Sequence, residues 1–131
     1  MSTQPEKLPE VLPKNFLRPC LLLLLRERAA HGYDLLERLE PLGVSRADPG
    51  RLYRALRALE AEGLVHSAWE ASEAGPDRRI YELTRPGMES LHAASQSLLQ
   101  TQLVLGTFLS RYSEFVALTP QQQPAPAVSA R

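Results

Sequence analysis

The chain is 131 residues long, with 15 Lys and Arg against 15 Asp and Glu and a formal net charge of zero. Hydrophobic residues make up 44% and charged residues 23%, a globular composition on a length that suits one domain, or a small domain with one long accessory element, and excludes a large multilayer enzyme. A neutral chain has no whole-molecule attraction to polyanions, so any nucleic-acid contact has to come from a local basic face.

Cys20 is the only cysteine. It excludes an intrachain disulfide and a multi-thiolate metal site within one protomer, and it fits a reducing compartment. The one continuous apolar run, Cys20 to Leu25, falls far short of the roughly 20 residues that cross a bilayer. Arg18 and Arg26 bracket it, and Glu6, Glu10 and three prolines precede it, unlike a signal peptide. These features predict a soluble cytoplasmic protein without a membrane partner.

Taken in chain order, residues 1–13 hold Pro5, Pro9 and Pro13 among polar residues and read as a flexible arm. A first helix is predicted near Leu17–Arg28, with Pro19 tolerated in its first turn. His31 and Gly32 are expected to break the chain. A second helix near Tyr33–Glu40 carries Leu35, Leu36 and Leu39 on one side and ends at Pro41 and Gly43. Asp48 and Pro49 open a third helix, an N-cap residue followed by proline at the first helical position. It runs to about Glu62, where Gly63 takes the usual place of a C-terminal glycine.

The period then changes. Leu64–Glu70 and Arg78–Leu83 contain Val65, Trp69, Ile80 and Tyr81, which favour strands. The turn-rich run from Ser72 to Asp77 joins them into a predicted hairpin. Thr84 caps a long final helix with Pro86 in its first turn, and residues 119–131, rich in Pro, Gln and small residues, read as a disordered tail. The fold class expected is mainly α (α+β). A winged helix-turn-helix domain occupies 14–84, and a long C-terminal dimerisation helix occupies 85–118. In that arrangement the third helix enters the major groove and the hairpin lies alongside the DNA backbone.

The third helix carries the sharpest signal. At about 100° per residue, Leu52, Ala55, Leu56 and Leu59 form one stripe that can face the first two helices. Arg51, Arg54 and Arg57 fall on the other side in steps of about 60°, and Arg46 lies just before the helix. Val44 to Leu59 holds four Arg and one Asp, a local excess of three in a neutral chain. A solvated amphipathic face is the competing reading, but such faces usually mix signs to gain i,i+4 pairs. Guanidinium groups can contact phosphate or pair bidentately with guanine O6 and N7, and the residue pattern does not say which arginine does which.

Tyr33, at the start of the second helix, and Tyr53, on the flank of the third, can each hydrogen-bond phosphate and fix the docking register. Each can equally be a half-buried packing residue. Arg78 and Arg79 follow the hairpin turn and are expected to reach phosphate or the minor groove, against the alternative of an ordinary exposed strand start. Trp69 is expected in the core, with the border of a ligand site as the lesser reading.

Several stretches resemble one family. They are His31-Gly32-Tyr33-Asp34-Leu35, the run from Pro49 to Leu56 (PGRLYRAL), Leu59-Glu60-Ala61-Glu62-Gly63-Leu64, Trp69-Glu70, and the run from Gly75 to Thr84 (GPDRRIYELT). Densely spread over residues 17–92, they resemble the PadR family of bacterial transcriptional regulators. Pro13-Lys14-Asn15-Phe16-Leu17 is also similar, over a much shorter stretch, to the branch of poly-β-hydroxybutyrate-responsive repressors. The resemblance implies a dimeric winged-helix repressor on a palindromic double-stranded DNA operator. Its long C-terminal helix would make the homodimer, and a small-molecule or polymer-related effector would release it. Arg51 stands where the family commonly has Thr and Arg54 where it commonly has Pro. Both changes add cations to the presumed groove face, so the operator need not resemble a known one. Asp48 replaces the usual Ser, a conservative exchange at an N-cap.

In the final helix a 3,4 spacing runs through Leu91, Ala94, Leu98, Thr101, Leu105, Phe108, Tyr112 and Phe115. A seam of about four heptads argues for packing against another helix. Leu99, Leu103, Val104, Leu109 and Val116 widen the stripe, and a helix roughly 45 Å long offers more apolar surface than one small winged domain covers. A helix folded back on its own domain is the alternative. Phe108, Tyr112 and Phe115 are read as interface core ahead of a ligand cavity.

No enzyme reading finds support. His31, His66 and His92 are scattered without metal-ligand spacing, no phosphate loop or nucleophile elbow occurs, and Cys20 sits in an apolar helix as a buried thiol. No cofactor is expected. The serious rival to a DNA-binding regulator is a winged-helix protein-protein adaptor.

Overall fold

The computed structural model describes residues 12–44, 48–72 and 75–117. The expected arm, apart from residues 12 and 13, and the expected tail lie outside the described residues, as does Arg46. The chain divides into two units, Met1–Ala94 and Ser95–Arg131.

The first unit is built around helix α1, Leu17–Glu27, which buries Leu17, Cys20, Leu21, Leu22, Leu24 and Leu25. A helix apolar over so much of its circumference belongs in the middle of a domain. After it, Ala30–His31 forms a two-residue strand, β1, where a chain break was expected. Its extended residues pair with the free edge of a later strand, a tertiary event that leaves no periodicity in two residues.

Helix α2 then spans Gly32–Arg38, shorter than expected, and a 3-10 turn over Glu40–Leu42 follows, closed by Gly43 at φ 88°. Pro41 lacks the N–H needed to continue the α-helical ladder. The left-handed conformation at Gly43 suits glycine, which has no Cβ to clash.

Helix α3 is Pro49–Ala61, and its start matches the sequence signal. The Asp48 side chain accepts a hydrogen bond from the Arg51 backbone N–H at 2.6 Å, satisfying one of the orphan donors of the first turn. Gly63, at φ 80°, ends the helix and lets the chain reverse into β2, Val65–Glu70. Strand β3, Arg78–Leu83, returns antiparallel with Val65 opposite Leu83, Ser67 opposite Tyr81 and Trp69 opposite Arg79. On the other edge of β3, Ala30 pairs with Tyr81 and His31 with Ile80, giving the sheet order β1-β3-β2. The resulting order, three helices and a hairpin with a short third strand, is a winged helix-turn-helix.

Leu21, Leu35, Leu39, Leu52, Leu56, Leu59 and Val65 are fully buried, drawn from α1, from α2 and its C-terminal cap, from α3 and from the sheet. Each such side chain contributes about 1.5–3 kcal/mol relative to exposure. Leu52, Leu56 and Leu59 therefore fix the rotation of α3 about its axis, and with it the direction of everything on the opposite side. Polar ties lock the periphery. Arg18 forks onto Glu62 at the end of α3 with bonds of 2.7 and 3.1 Å. Arg38 donates from Nη2 to the Leu24 carbonyl and to Glu27, each at 2.9 Å.

Helix α4 spans Arg85–Ala117. Thr84 caps it, accepting from the Gly87 N–H at 3.0 Å while its hydroxyl donates to the Gly63 carbonyl at 2.7 Å. Gly87 is buried so closely against the Leu64 carbonyl and Leu83 that no Cβ fits there. The second unit, taken by itself, is the remainder of α4. Its Leu99, Leu103, Val104, Leu105, Phe108, Leu109, Tyr112 and Phe115 are all exposed. No helix among the described residues is long and apolar enough to cross a membrane.

Candidate nucleic-acid interface

With the leucine stripe of α3 turned inward, helical geometry places Arg54 and Arg57 about 30° to either side of the outward direction and Arg51 on the flank. All three are exposed. Among the described residues their guanidinium groups have no carboxylate partner; the ion pairs are Arg18–Glu62, Arg38–Glu27 and pairs made by His31 and His66. The residues between them on this face are Gly50, Ala58 and Ala61, so nothing bulky stands beside the arginines. A Cβ on Gly50 would lie 3.2 Å from Arg54 Nη1 and 3.2 Å from Asp48 Oδ1. Arg54 thus folds back over the bare first turn and carries its charge to the N-terminal end of the helix.

The neighbouring carboxylates are all engaged. Asp48 caps the helix, Glu62 holds Arg18, and Glu60 accepts from the Ser67 hydroxyl at 2.9 Å. The Arg18 hydrogen bonds keep the Glu62 carboxyl below its ordinary range against a smaller opposing effect of desolvation. The outer face of α3 is left with hydrogen-bond donors alone.

Ser67 also accepts from Arg79 Nε at 2.8 Å, and the Arg79 guanidinium lies 4.8 Å from the centre of the Trp69 ring, within cation–π range. The chain Glu60, Ser67, Arg79 and Trp69 therefore ties the hairpin to α3. Trp69 is a correction to the sequence reading: expected in the core, it is 65% exposed. Strand alternation puts Val65, Ser67 and Trp69 on one face, but the core beneath that face ends at Val65 and Tyr81, and Trp69 lies beyond it. Arg79, one of the two hairpin arginines expected to reach DNA, is half-buried in this contact, while Arg78 is exposed. Burial pushes the Tyr81 phenol up, with the Arg79 and Arg57 charges acting against the shift.

Tyr53 packs its ring on Gly32, where a Cβ would come within 2.5 Å of the ring edge and of the hydroxyl. It is 38% exposed, and Tyr33 is 71% exposed. Sequence reasoning missed Gly32, Glu60 and Ser67. The glycine at the start of α2 was a usable signal for a close approach. The Glu60–Ser67 bond joins a helix to a strand, and no local pattern announces it.

Of the residues expected in a dimer seam, Leu91 packs against the core of the first unit and Leu98 is half-buried, while Leu105, Phe108, Tyr112 and Phe115 are exposed. Phe108, Tyr112 and Phe115 line a shallow depression together with Arg111 and Glu114. Cys20 is buried as expected, and desolvation pushes its thiol up to about 11. Among the described residues no group of His, Cys, Asp and Glu could hold a metal ion.

Comparison with known proteins agrees with this geometry. Residues 21–93, more than half of the chain, match the transcriptional regulator PadR-like family. The match begins after Pro13–Leu17, so the similarity of that stretch to polymer-responsive repressors is no part of it. No curated protein matches. Among solved structures, a PadR-like transcriptional regulator from Bacillus cereus is similar at 28% identity and a TM-score of 0.66, over 73% of this chain and 93% of that one. A putative transcriptional regulator from Thermoplasma acidophilum is similar at 29% identity and a TM-score of 0.62, over 72% and 90%. A PadR family transcriptional regulator from Eggerthella lenta is similar at 29% identity and a TM-score of 0.63, over 71% and 80%. These relatives are transcription regulators and not enzymes. The chain belongs to the PadR-like family of DNA-binding transcriptional regulators.

Proposed function

We propose that the chain is a homodimeric, sequence-specific repressor that binds a palindromic double-stranded DNA operator and leaves it when an effector binds. One observation carries the DNA-contact part: Arg51, Arg54 and Arg57 stand exposed and without carboxylate partners on the outer face of α3, with only small residues between them. That face fits a major groove about 12 Å wide. In this reading Arg46 adds charge ahead of the helix, Arg78 and Arg79 approach the backbone from the hairpin, and Tyr33 and Tyr53 set the register with phosphate.

Dimerisation through the second unit is supported by its surface. Leu105, Phe108, Tyr112 and Phe115 follow the 3,4 spacing, and Leu99 and Leu103 lie on the other side of the same helix. A helix apolar on both sides is normally buried. Two copies would set their recognition helices about one DNA turn, roughly 34 Å, or a multiple of it apart. Release by an effector enters the proposal from the family resemblance.

The test is salt dependence. A dimer making about six to ten phosphate contacts should lose roughly 10³–10⁵ in affinity for duplex DNA between 50 and 200 mM salt. A winged-helix adaptor gripping another protein through apolar surface would change far less. Weak, salt-insensitive binding to every duplex in a genomic pool would overturn the proposal.

A further inference from the structure

We infer that Arg51 and Arg54 are the base-reading residues and that each operator half-site presents them with guanines. The inference rests on the DNA-binding reading above and adds to it which bases are chosen and by which side chains.

Arginine has donors and no acceptor. In the major groove guanine offers two acceptors side by side, O6 and N7. Adenine pairs its N7 acceptor with an N6 donor, thymine offers one acceptor beside a methyl group, and cytosine offers a donor. A face that can only donate therefore matches guanine best and leaves at least one unmatched group on any other base. The outer face of α3 is such a face. Its exposed residues other than arginine and Tyr53 are proline, glycine and alanine. The carboxylates that could have read adenine or cytosine are held elsewhere: Asp48 by the Arg51 backbone N–H, Glu60 by Ser67 and Glu62 by Arg18.

Position separates the three arginines. The N-terminal residues of a recognition helix are the ones that reach base edges. Arg51 is in the first turn, and Arg54 lies back over Gly50 toward the same end. Arg57 stands a turn further along α3, away from the N-terminal end. That is a position for backbone contact. Arg51 and Arg54 are about 4.5 Å apart along the helix axis, so the two guanines fall on adjacent or next-but-one base pairs.

The experiment is selection of binding sites from a random duplex library with the full chain, followed by titration of the selected duplex. The selected half-site should hold two guanines within two steps of each other. Replacing either G·C pair by A·T should weaken binding by about 5- to 150-fold, the range for one bidentate pair, and 7-deazaguanine, which lacks only the N7 acceptor, should weaken it by part of that. Arg54→Ala should remove the choice of base at one of the two positions while keeping it at the other. If duplexes are retained but the half-site shows no guanine preference, or if Arg54→Ala selects an unchanged half-site, this inference is wrong and DNA binding stands. If no duplex is retained at all, the DNA-binding proposal falls and this one with it.

Discussion

Three guanidinium groups within one arc of α3 repel one another, and none of them is ion-paired to a carboxylate among the described residues. Like charges three or four residues apart on a helix cost a few tenths of a kcal/mol per pair, and alanine is the better helix former. Replacing Arg51, Arg54 and Arg57 together by Ala should therefore leave the melting temperature unchanged or slightly raised while abolishing duplex binding. Thermal unfolding and a binding titration on the same sample check both halves. A marked loss of stability would mean that the arginines serve the fold. Cys20 makes the opposite case, a chemically active group silenced by its position. Its thiol, moved from 9.0 to about 11 by burial, stays protonated near neutrality, and only the thiolate is nucleophilic. Iodoacetamide at pH 8 should leave the native chain unlabelled and modify it fully in denaturant. The sign of the shift also sets a pH window. Folded protein holds the proton more tightly than unfolded, so this contribution to stability is intact below pH 9 and declines as the pH rises toward about 11. Both the arginine face and the buried thiol were legible in the sequence, because the leucine period fixes what points in and what points out. Trp69 was not, since how far the core extends beneath a hairpin depends on helices distant in sequence.

Among the elements, the junction after α3 is the most constrained. Gly63 turns the chain, Thr84 bonds back to its carbonyl, and α4 starts with Gly87 pressed on the Leu64 carbonyl. A methyl group at position 87 meets backbone, which no rotamer change relieves. Gly87→Ala should thus destabilise the first unit by about 1–3 kcal/mol, the usual cost of overpacking, although alanine favours a helix by nearly 1 kcal/mol over glycine in an unconstrained position. Chemical denaturation decides the sign, and a stabilised variant would show that the junction has slack. The boundaries of α3 and of the hairpin were readable in advance because Asp48-Pro49, Gly63 and the turn around Gly75 and Pro76 are local signals. Strand β1 was not readable, since two residues become a strand only when β3 lies beside them. The tie from Glu60 through Ser67 to Arg79 was hidden for the same reason, so the candidate site was legible on the helix and illegible where helix and hairpin meet.

For the whole molecule, a net charge of zero means that a copy approaching DNA in the wrong orientation gains nothing. In the proposed reading attraction belongs to one face of the first unit, and one such face is a weak binder. Non-specific affinities at physiological salt are typically about 10⁻⁴–10⁻⁶ M. Linking two faces makes the second contact intramolecular and raises overall affinity by about 10²–10⁴ without any new contact. The proposed dimer supplies that link through the exposed apolar residues of the second unit. Removing residues from Leu98 onward spares the first unit, whose core is built from residues Leu17 to Tyr81, and deletes the exposed run from Leu99 to Phe115. The truncated chain should fold with unchanged near-ultraviolet circular dichroism and run as a monomer in light scattering at micromolar concentration. Its affinity for the full operator should fall by about 10²–10⁴ while its affinity for an isolated half-site stays as it was. Affinity for both falling together would place DNA contacts in the deleted segment. Affinity for neither falling would show that one winged unit is sufficient and that the apolar helix faces something other than a second copy of the chain.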